Sequence, residues 1–219
     1  MGKRVFCIPD LHFPYHSKKA LDSILKLIME TKPSHVVQLG DILDQYVFSK
    51  YARRLSISPS TDILEGITLA EEMWAAIKDI VPRARCYQLM GNHDIRVTKR
   101  IAEKMPELSE FFSHRDFYDF KGVEVLDSDR DYLEIDGVVY VHGWLSKSID
   151  HAKYFMKPVV HGHRHRPAIH FENPKLWAMD CGHVADIKSV PLNYTPSKFT
   201  KWTEACGEVI NAKPRLHIL

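Results

Sequence analysis

The chain has 219 residues, 45% of them hydrophobic and 26% charged, with a formal net charge of +2 at pH 7. That length suits one well-buried domain, expected to span residues 1–219, and is short for two. No apolar run approaches the roughly 20 residues that a membrane span needs, and the charge is too balanced to argue by itself for a polyanionic partner.

Met1-Gly2-Lys3-Arg4-Val5 leads straight into a strand-like run with no apolar signal core, so a cytoplasmic location is expected. Arg4 to Ile8 reads as a buried strand followed by Pro9-Asp10-Leu11-His12. Ser17 is placed to cap a helix whose apolar face is Leu21, Ile24, Leu25 and Ile28, ended by Pro33. His35 to Leu39 is a second strand, closed by Gly40-Asp41. Tyr46 to Ser60 is polar and irregular, and a longer helix follows with Ile63, Ile67, Ala70, Trp74 and Ile77 on one stripe. Arg85 to Met90 is a third strand, closed by Gly91-Asn92-His93-Asp94.

Beyond that point strands dominate. Tyr132 to Ile135 and Val138 to Val141 flank Asp136-Gly137, the signature of a two-residue hairpin, and the second strand runs into His142-Gly143. A short helix around Asp150 to Phe155 precedes a strand at Pro158 to Val160, closed by His161-Gly162-His163-Arg164-His165. Ala168 to Glu172 and Leu176 to Cys181 turn at Asn173-Pro174, and a final hairpin is expected around Gly207 to Ile218. Alternating strands and helices followed by a strand-rich half suggest an α/β sandwich, two sheets packed together with helices outside. The four cysteines, Cys7, Cys86, Cys181 and Cys206, are far apart with no Cys-x-x-Cys spacing and read as buried reduced thiols.

Five of these strands end in a cluster of Asp, Asn, His and Gly, in the place where α/β folds keep their ligands. The side chains there are Asp10, His12, Asp41, Asn92, His93, His142, His161, His163 and His165. Oxygen and imidazole donors without a thiolate suit Mn²⁺, Fe or Zn²⁺ and argue against a structural zinc knuckle. In an extended segment residues i and i+2 point the same way, so Asp10 with His12, and His163 with His165, are expected to bite one ion each. The donors are too many for one tetrahedral ion; two ions sharing a carboxylate, roughly 3.5–4 Å apart, fit better. Singly each cluster is weak, since Gly-Asp is more often a turn and Asn-His a cap; their joint occurrence, each after an apolar strand, is what chance does not supply.

The series Asp10-Leu11-His12, Gly40-Asp41-Ile42-Leu43-Asp44, Gly91-Asn92-His93-Asp94, His142-Gly143 and Gly162-His163-Arg164-His165 resembles the motif series of the calcineurin-like metallophosphoesterases, intact and in family order. The resemblance implies a four-layer α-β-β-α sandwich of two mixed sheets flanked by helices. It implies that Asp10, His12 and His165 hold one divalent ion, that Asn92, His142 and His163 hold the other, and that Asp41 bridges them. Mn²⁺ is the first expectation, with Fe, Zn²⁺ or Ni²⁺ as alternatives. A metal-bridging hydroxide would attack phosphorus, while His93 gives a proton to the leaving oxygen or stabilises the transition state and Asp94 orients its ring. Where the family's Gly-Ser strand is expected, this chain reads Gly182-His183.

Phosphoprotein phosphatases of this superfamily read Gly-Asp-x-x-Asp-Arg-Gly and Arg-Gly-Asn-His-Glu, but here Gln45-Tyr46 follows Asp44, and Met90 and Asp94 replace the Arg and the Glu. Two phosphate-gripping arginines are therefore missing, which disfavours a protein phosphatase. Arg96, Lys99 and Arg100 at helical spacing, Arg164 and Arg166 among the histidines, and Lys50, Arg53 and Arg54 beside Tyr46, Phe48 and Tyr51 flank the site; arginines with aromatics suggest groups that hold phosphates and stack bases, whereas Lys99 reads as part of a solvated face. Arg96 and Arg164 adjoin site residues and are the candidate substrate contacts. The expected activity is a phosphodiesterase acting on nucleic acid or nucleotides; a nucleotide or small-molecule phosphomonoesterase is the alternative, and a non-catalytic metal-binding scaffold the alternative of another class. A homodimer would be one way to supply grip on nucleic acid.

Overall fold

The computed structural model describes residues 3–49, 57–113, 117–189 and 202–219. Eleven strands are arranged in two mixed sheets. The first has the order β11-β10-β1-β2-β3-β4, built from β1 (Arg4–Ile8), β2 (His35–Gln38), β3 (Arg85–Gln88), β4 (Val123–Val125), β10 (Ala205–Ile210) and β11 (Lys213–Ile218). Strands β1 to β4 run parallel, while β10 pairs antiparallel with β1 and with β11. The second has the order β5-β6-β7-β9-β8, built from β5 (Tyr132–Ile135), β6 (Val138–Val141), β7 (Val159–His161), β8 (Ala168–Asn173) and β9 (Leu176–Asp180). Its β6, β7 and β9 are parallel and its edge strands antiparallel.

Side-chain alternation sorts these strands into layers. In β1, Phe6 and Ile8 face the helices α1 (Lys18–Thr31) and α2 (Gly66–Ile80), in one cluster with Ile24, Ile28, Trp74 and Ile77. The opposite face, Val5 and Cys7 with Val37, Leu39 and Tyr87, meets Val138, Tyr140, Val160 and Met179 of the second sheet. That sheet's outer face, Val139, Val141, Val159 and Ala178, is covered by α4 (Ser148–Phe155) through Ala152. The order helix, sheet, sheet, helix is the expected four-layer sandwich, and strands buried on both faces explain the unbroken apolar runs of the sequence.

Local signals behave as their chemistry dictates. The Ser17 hydroxyl accepts the Ala20 amide and caps α1, and Lys32 ends it in the left-handed region. Asp136 and Gly137 both have positive φ, 51° and 76°, the geometry of a type I′ hairpin turn. Three elements have no clear sequence pattern, among them a 3₁₀ stretch at Pro106–Phe111. β4 has only three residues, and α3 (Arg96–Lys104) was legible only as a spacing of basic residues. Of the segment Tyr46 to Ser60, residues 50–56 lie outside the described residues; Tyr46–Phe48 forms a 3₁₀ turn, and a π-helical turn at Ser60–Glu65 leads into α2. No helix among the described residues is long and apolar enough to cross a membrane. The four cysteines are buried and unpaired.

Candidate metal centre

Strands β1, β2 and β3 of one sheet and β6 and β7 of the other deliver their carboxyl ends to a common region. The loop after β1 brings Asp10 and His12, that after β2 brings Asp41, that after β3 brings Asn92 and His93, and those after β6 and β7 bring His142, His163 and His165. The two sheets are tied here, because the His163 amide donates to both Asp10 oxygens at 3.0 and 2.9 Å. Gly162 permits this approach: a Cβ at that position would run into Asp10 Oδ2.

The expected extended bite is not the one observed. Asp10 (φ 27°), His12 (φ 52°), Asp41 (φ 53°), His163 (φ 69°) and His165 (φ 59°) are all in or near the left-handed region. The chain turns sharply as it leaves β1, β2 and β7, and these turns, rather than strand alternation, aim the side chains. Non-glycine residues pay about 1–2 kcal/mol each for such a backbone, and strain of this kind gathers where a site over-determines the chain.

Three donor groups result among the described residues. Asp10, His12 and His165 offer atoms within 4.8 Å of one another, as do Asp41, His142 and His163, and a third group, His12, Asp44 and His93, shares His12 with the first. The first two hold the expected ligands. In the first set, His12 Nε2 and His165 Nε2 face each other at 3.4 Å and His165 Nε2 lies 3.2 Å from Asp10 Oδ1. In the second, His163 Nδ1 lies 3.2 Å and Asn92 Oδ1 3.1 Å from His142 Nε2. Asp41 Oδ2 stands between them, 3.9 Å from His12 Nε2 and 3.5 Å from His142 Nε2. Two nitrogens bound at about 2.0–2.1 Å to one tetrahedral ion stand about 3.4 Å apart, so the facing imidazoles fit a shared cation in each set. Two of the ring nitrogens away from these sets are held: His142 Nδ1–H donates to the Leu39 carbonyl at 2.9 Å and His12 Nδ1–H to Asp44 Oδ2 at 3.0 Å. Such contacts fix the tautomer that leaves Nε2 for a metal.

The charges are strongly coupled. Burial would lower the His12 imidazole, but the Asp44 hydrogen bond and the charges of Asp41, Asp44 and Asp10 outweigh it and push it up to about 9. Burial pushes His163 down to about 4, helped by His142. Burial would raise Asp41, yet four surrounding histidines hold it well below the usual carboxylate range.

His93 sits beside both sets. Its Nδ1 is 3.4 Å from Asp44 Oδ2, and its Nε2 accepts from Arg96 Nη2 at 2.8 Å. The carboxylate facing its ring is therefore Asp44, not Asp94. Asp94 instead accepts the amides of Asp41, Leu43 and Gly91 and the Tyr118 hydroxyl, and so fixes the loops after β2 and β3. Its start just ahead of α3 turns its side chain back toward the strand ends. Arg96 also donates through Nη1 to Asp44 at its carbonyl and at Oδ1, 2.9 and 3.3 Å away. Arg164 turns toward α4, its Nη1 3.5 Å from Ser148 Oγ. Lys50, Tyr51, Arg53 and Arg54 lie outside the described residues. Sequence reasoning left Asp44 undecided and passed over Trp202, whose ring centroid is 4.3 Å from that of His165. The second Asp of the Gly-Asp-x-x-Asp motif was the available signal for Asp44; Trp202 had none.

A two-sheet sandwich that gathers two His/carboxylate sets around a shared Asp is the architecture of a binuclear phosphoesterase. The chain belongs to the calcineurin-like phosphoesterase family, whose model matches residues 3–203. It is 26% identical over 227 residues to the Gene 54 protein of Mycobacterium phage D29, covering 94% of this chain and 88% of that one. It is also 26% identical to the Gene 54 protein of Mycobacterium phage L5, covering 86% and 82%. Vacuolar protein sorting 29 of Chaetomium thermophilum shares the fold, with a TM-score of 0.51 at 11% identity, covering 100% of this chain and 95% of that one. The Cryptosporidium parvum protein of the same name gives 0.50 at 17% identity, covering 100% and 97%.

Proposed function

We propose that the protein is a metal-dependent phosphodiesterase acting on nucleic acid or nucleotides. The observation that carries the reading is the position of Asp41 Oδ2 between the two facing pairs of imidazoles. In this reading Asp10, His12 and His165 hold one divalent ion, Asn92, His142 and His163 the other, and Asp41 both; Mn²⁺ is the first choice. Bound ions of this kind supply Lewis-acid charge and a water ionised near neutral pH. The chain's own groups do the rest. Asp44 and Leu39 orient the ligand rings, and the Asp94 carboxylate holds the Asp41 and Gly91 backbone. His93 Nε2 accepts from the Arg96 guanidinium, so the protons of this pair are Arg96's, and in this reading the pair stabilises the charge that develops on the leaving oxygen. Arg164, turned toward Ser148, is the weaker candidate for substrate contact. A cytoplasmic site of action is part of the same reading.

The test is hydrolysis of a bis-aryl phosphodiester against an aryl phosphomonoester with added Mn²⁺. Dominant diesterase activity is expected, and dominant monoesterase activity rejects this choice. His93→Ala should lower kcat by about 10²–10⁴-fold, the range of general acid–base catalysis, with metal content nearly unchanged; loss of both ions would make His93 a ligand instead. A scaffold without turnover is the second reading, favoured by fold neighbours named for vacuolar protein sorting rather than for an enzyme. Metal uptake with no hydrolysis of either ester would select it.

A further inference from the structure

We propose that the pocket along α3 receives the leaving side of the substrate and that this side carries a further phosphate, so the substrate is a single-stranded oligonucleotide cut within the chain. The inference rests on the phosphodiesterase reading above and names its substrate class. The pocket has a volume of about 250 Å³, and its lining includes Phe48, Asn92, Arg96, Lys99, Arg100 and Glu103.

Its place relative to the metal centre follows from two contacts. Asn92 Oδ1 is 3.1 Å from His142 Nε2, so the pocket opens onto the second donor set. Arg96 Nη2 is 2.8 Å from His93 Nε2, so the pocket lies on the side where His93 meets the leaving oxygen. In hydrolysis the water oxygen bonds to phosphorus, the bond from phosphorus to the leaving oxygen breaks, and one of the two water protons ends on that oxygen. Whatever the leaving oxygen belongs to must then extend into this pocket.

The lining says what that group is. Residues 96, 99 and 100 share one helix face at i, i+3 and i+4. Arg96 is engaged with Asp44 and His93, whereas Lys99 and Arg100 are exposed and have no ion-pair partner among the described residues. With Arg96 held by Asp44, Lys99 and Arg100 stand against one acid of the lining, Glu103, which is itself engaged, so positive charge is in excess about one helical turn from Arg96. A cyclic nucleotide or a terminal monoester has no second phosphate to meet it. Half-buried Phe48 adds an apolar face on which a base can stack. A pocket on this scale suits one nucleotide unit with its base on Phe48, an arrangement open to a single strand whose bases can unstack.

The experiment compares kcat/KM with Mn²⁺ for bis(p-nitrophenyl) phosphate, a dinucleoside monophosphate, a trinucleotide and a nucleoside triphosphate. The trinucleotide should exceed the dinucleoside monophosphate by about tenfold or more. Lys99→Ala/Arg100→Ala, at exposed positions outside the metal centre, should remove most of that advantage. It should also flatten the slope of log kcat/KM against log salt for the trinucleotide by about 0.7, one phosphate contact on a single strand. Phe48→Ala should weaken the trinucleotide without changing that slope. A trinucleotide no better than the dinucleoside monophosphate, an equal loss on trinucleotide and aryl ester in the double variant, or preference for the triphosphate overturns the inference while leaving the phosphodiesterase reading standing. Failure to cleave any diester removes both.

Discussion

Asp44 takes the Nδ1–H of His12, lies 3.4 Å from Nδ1 of His93 and receives Arg96, so one buried carboxylate sets the orientation of a candidate ligand and of the candidate acid together. Its hydrogen bond and its neighbours' charges push His12 up to about 9 despite burial. The metal-free site therefore carries a proton on His12 at pH 7, which an incoming cation must displace, because a metal ligand has to be deprotonated. Mn²⁺ affinity is expected to rise with pH between 6 and 9, with proton release visible by calorimetry in buffers of different ionisation enthalpy. Asp44→Asn removes one of the three carboxylates that raise His12 and weakens its hydrogen bond, which lowers its pKa and shifts the pH at which affinity saturates downward. An unchanged pH profile in that variant would separate Asp44 from the titration. At Gly162 the outcome is steric: Gly162→Ala drives a methyl group into Asp10 Oδ2. Loss of at least one ion per chain is expected by elemental analysis, with secondary structure retained by circular dichroism.

The elements that position these residues are stabilised far from them. Trp74 of α2 is fully buried with Ala70, Met73 and Ile77 against the face of the first sheet that carries Phe6 and Ile8. Trp74→Ala should cost about 3–5 kcal/mol through lost burial and the cavity left behind, read by chemical denaturation. The metal-to-protein ratio of the folded fraction should not change, because α2 supplies no donor. The left-handed turns after β1, β2 and β7 behave oppositely. They cost backbone energy, and the packing of their flanking strands holds them in place. Helix periodicity and strand burial are local properties of a sequence; the turn that aims a donor is imposed by where the next strand has to go.

At the scale of the molecule, the candidate centre lies where the two sheets meet, with Asp10, His12, Asp41 and Asn92 from one and His142, His163 and His165 from the other. A cation bound there crosslinks both sheets and binds only the folded state. At a free concentration of 100 times Kd it adds about 2.7 kcal/mol, and a protein of this size gains roughly 2–4 °C in Tm per kcal/mol. Chelation should therefore lower Tm by several degrees, and readdition of Mn²⁺ restore it. A Tm indifferent to chelator would argue against a metal bound between the sheets.

The sequence by itself determined the composition of this centre. Asp10, His12, Asp41, Asn92, His142, His163 and His165 follow apolar strands, and both the burial of those strands and the chemistry of those side chains are written locally. It pointed to a sandwich of sheets with helices outside as well, since unbroken apolar runs mark strands covered on both faces and period-3.6 stripes mark helices covered on one. Tertiary structure alone decided who meets whom. Asp44 rather than Asp94 faces His93, Arg96 approaches the centre while Arg164 turns to α4, and Trp202 lies against His165. Most of those pairings join residues tens of positions apart, and the Arg96 contact depends on the angle at which α3 starts after its loop; no local pattern encodes either.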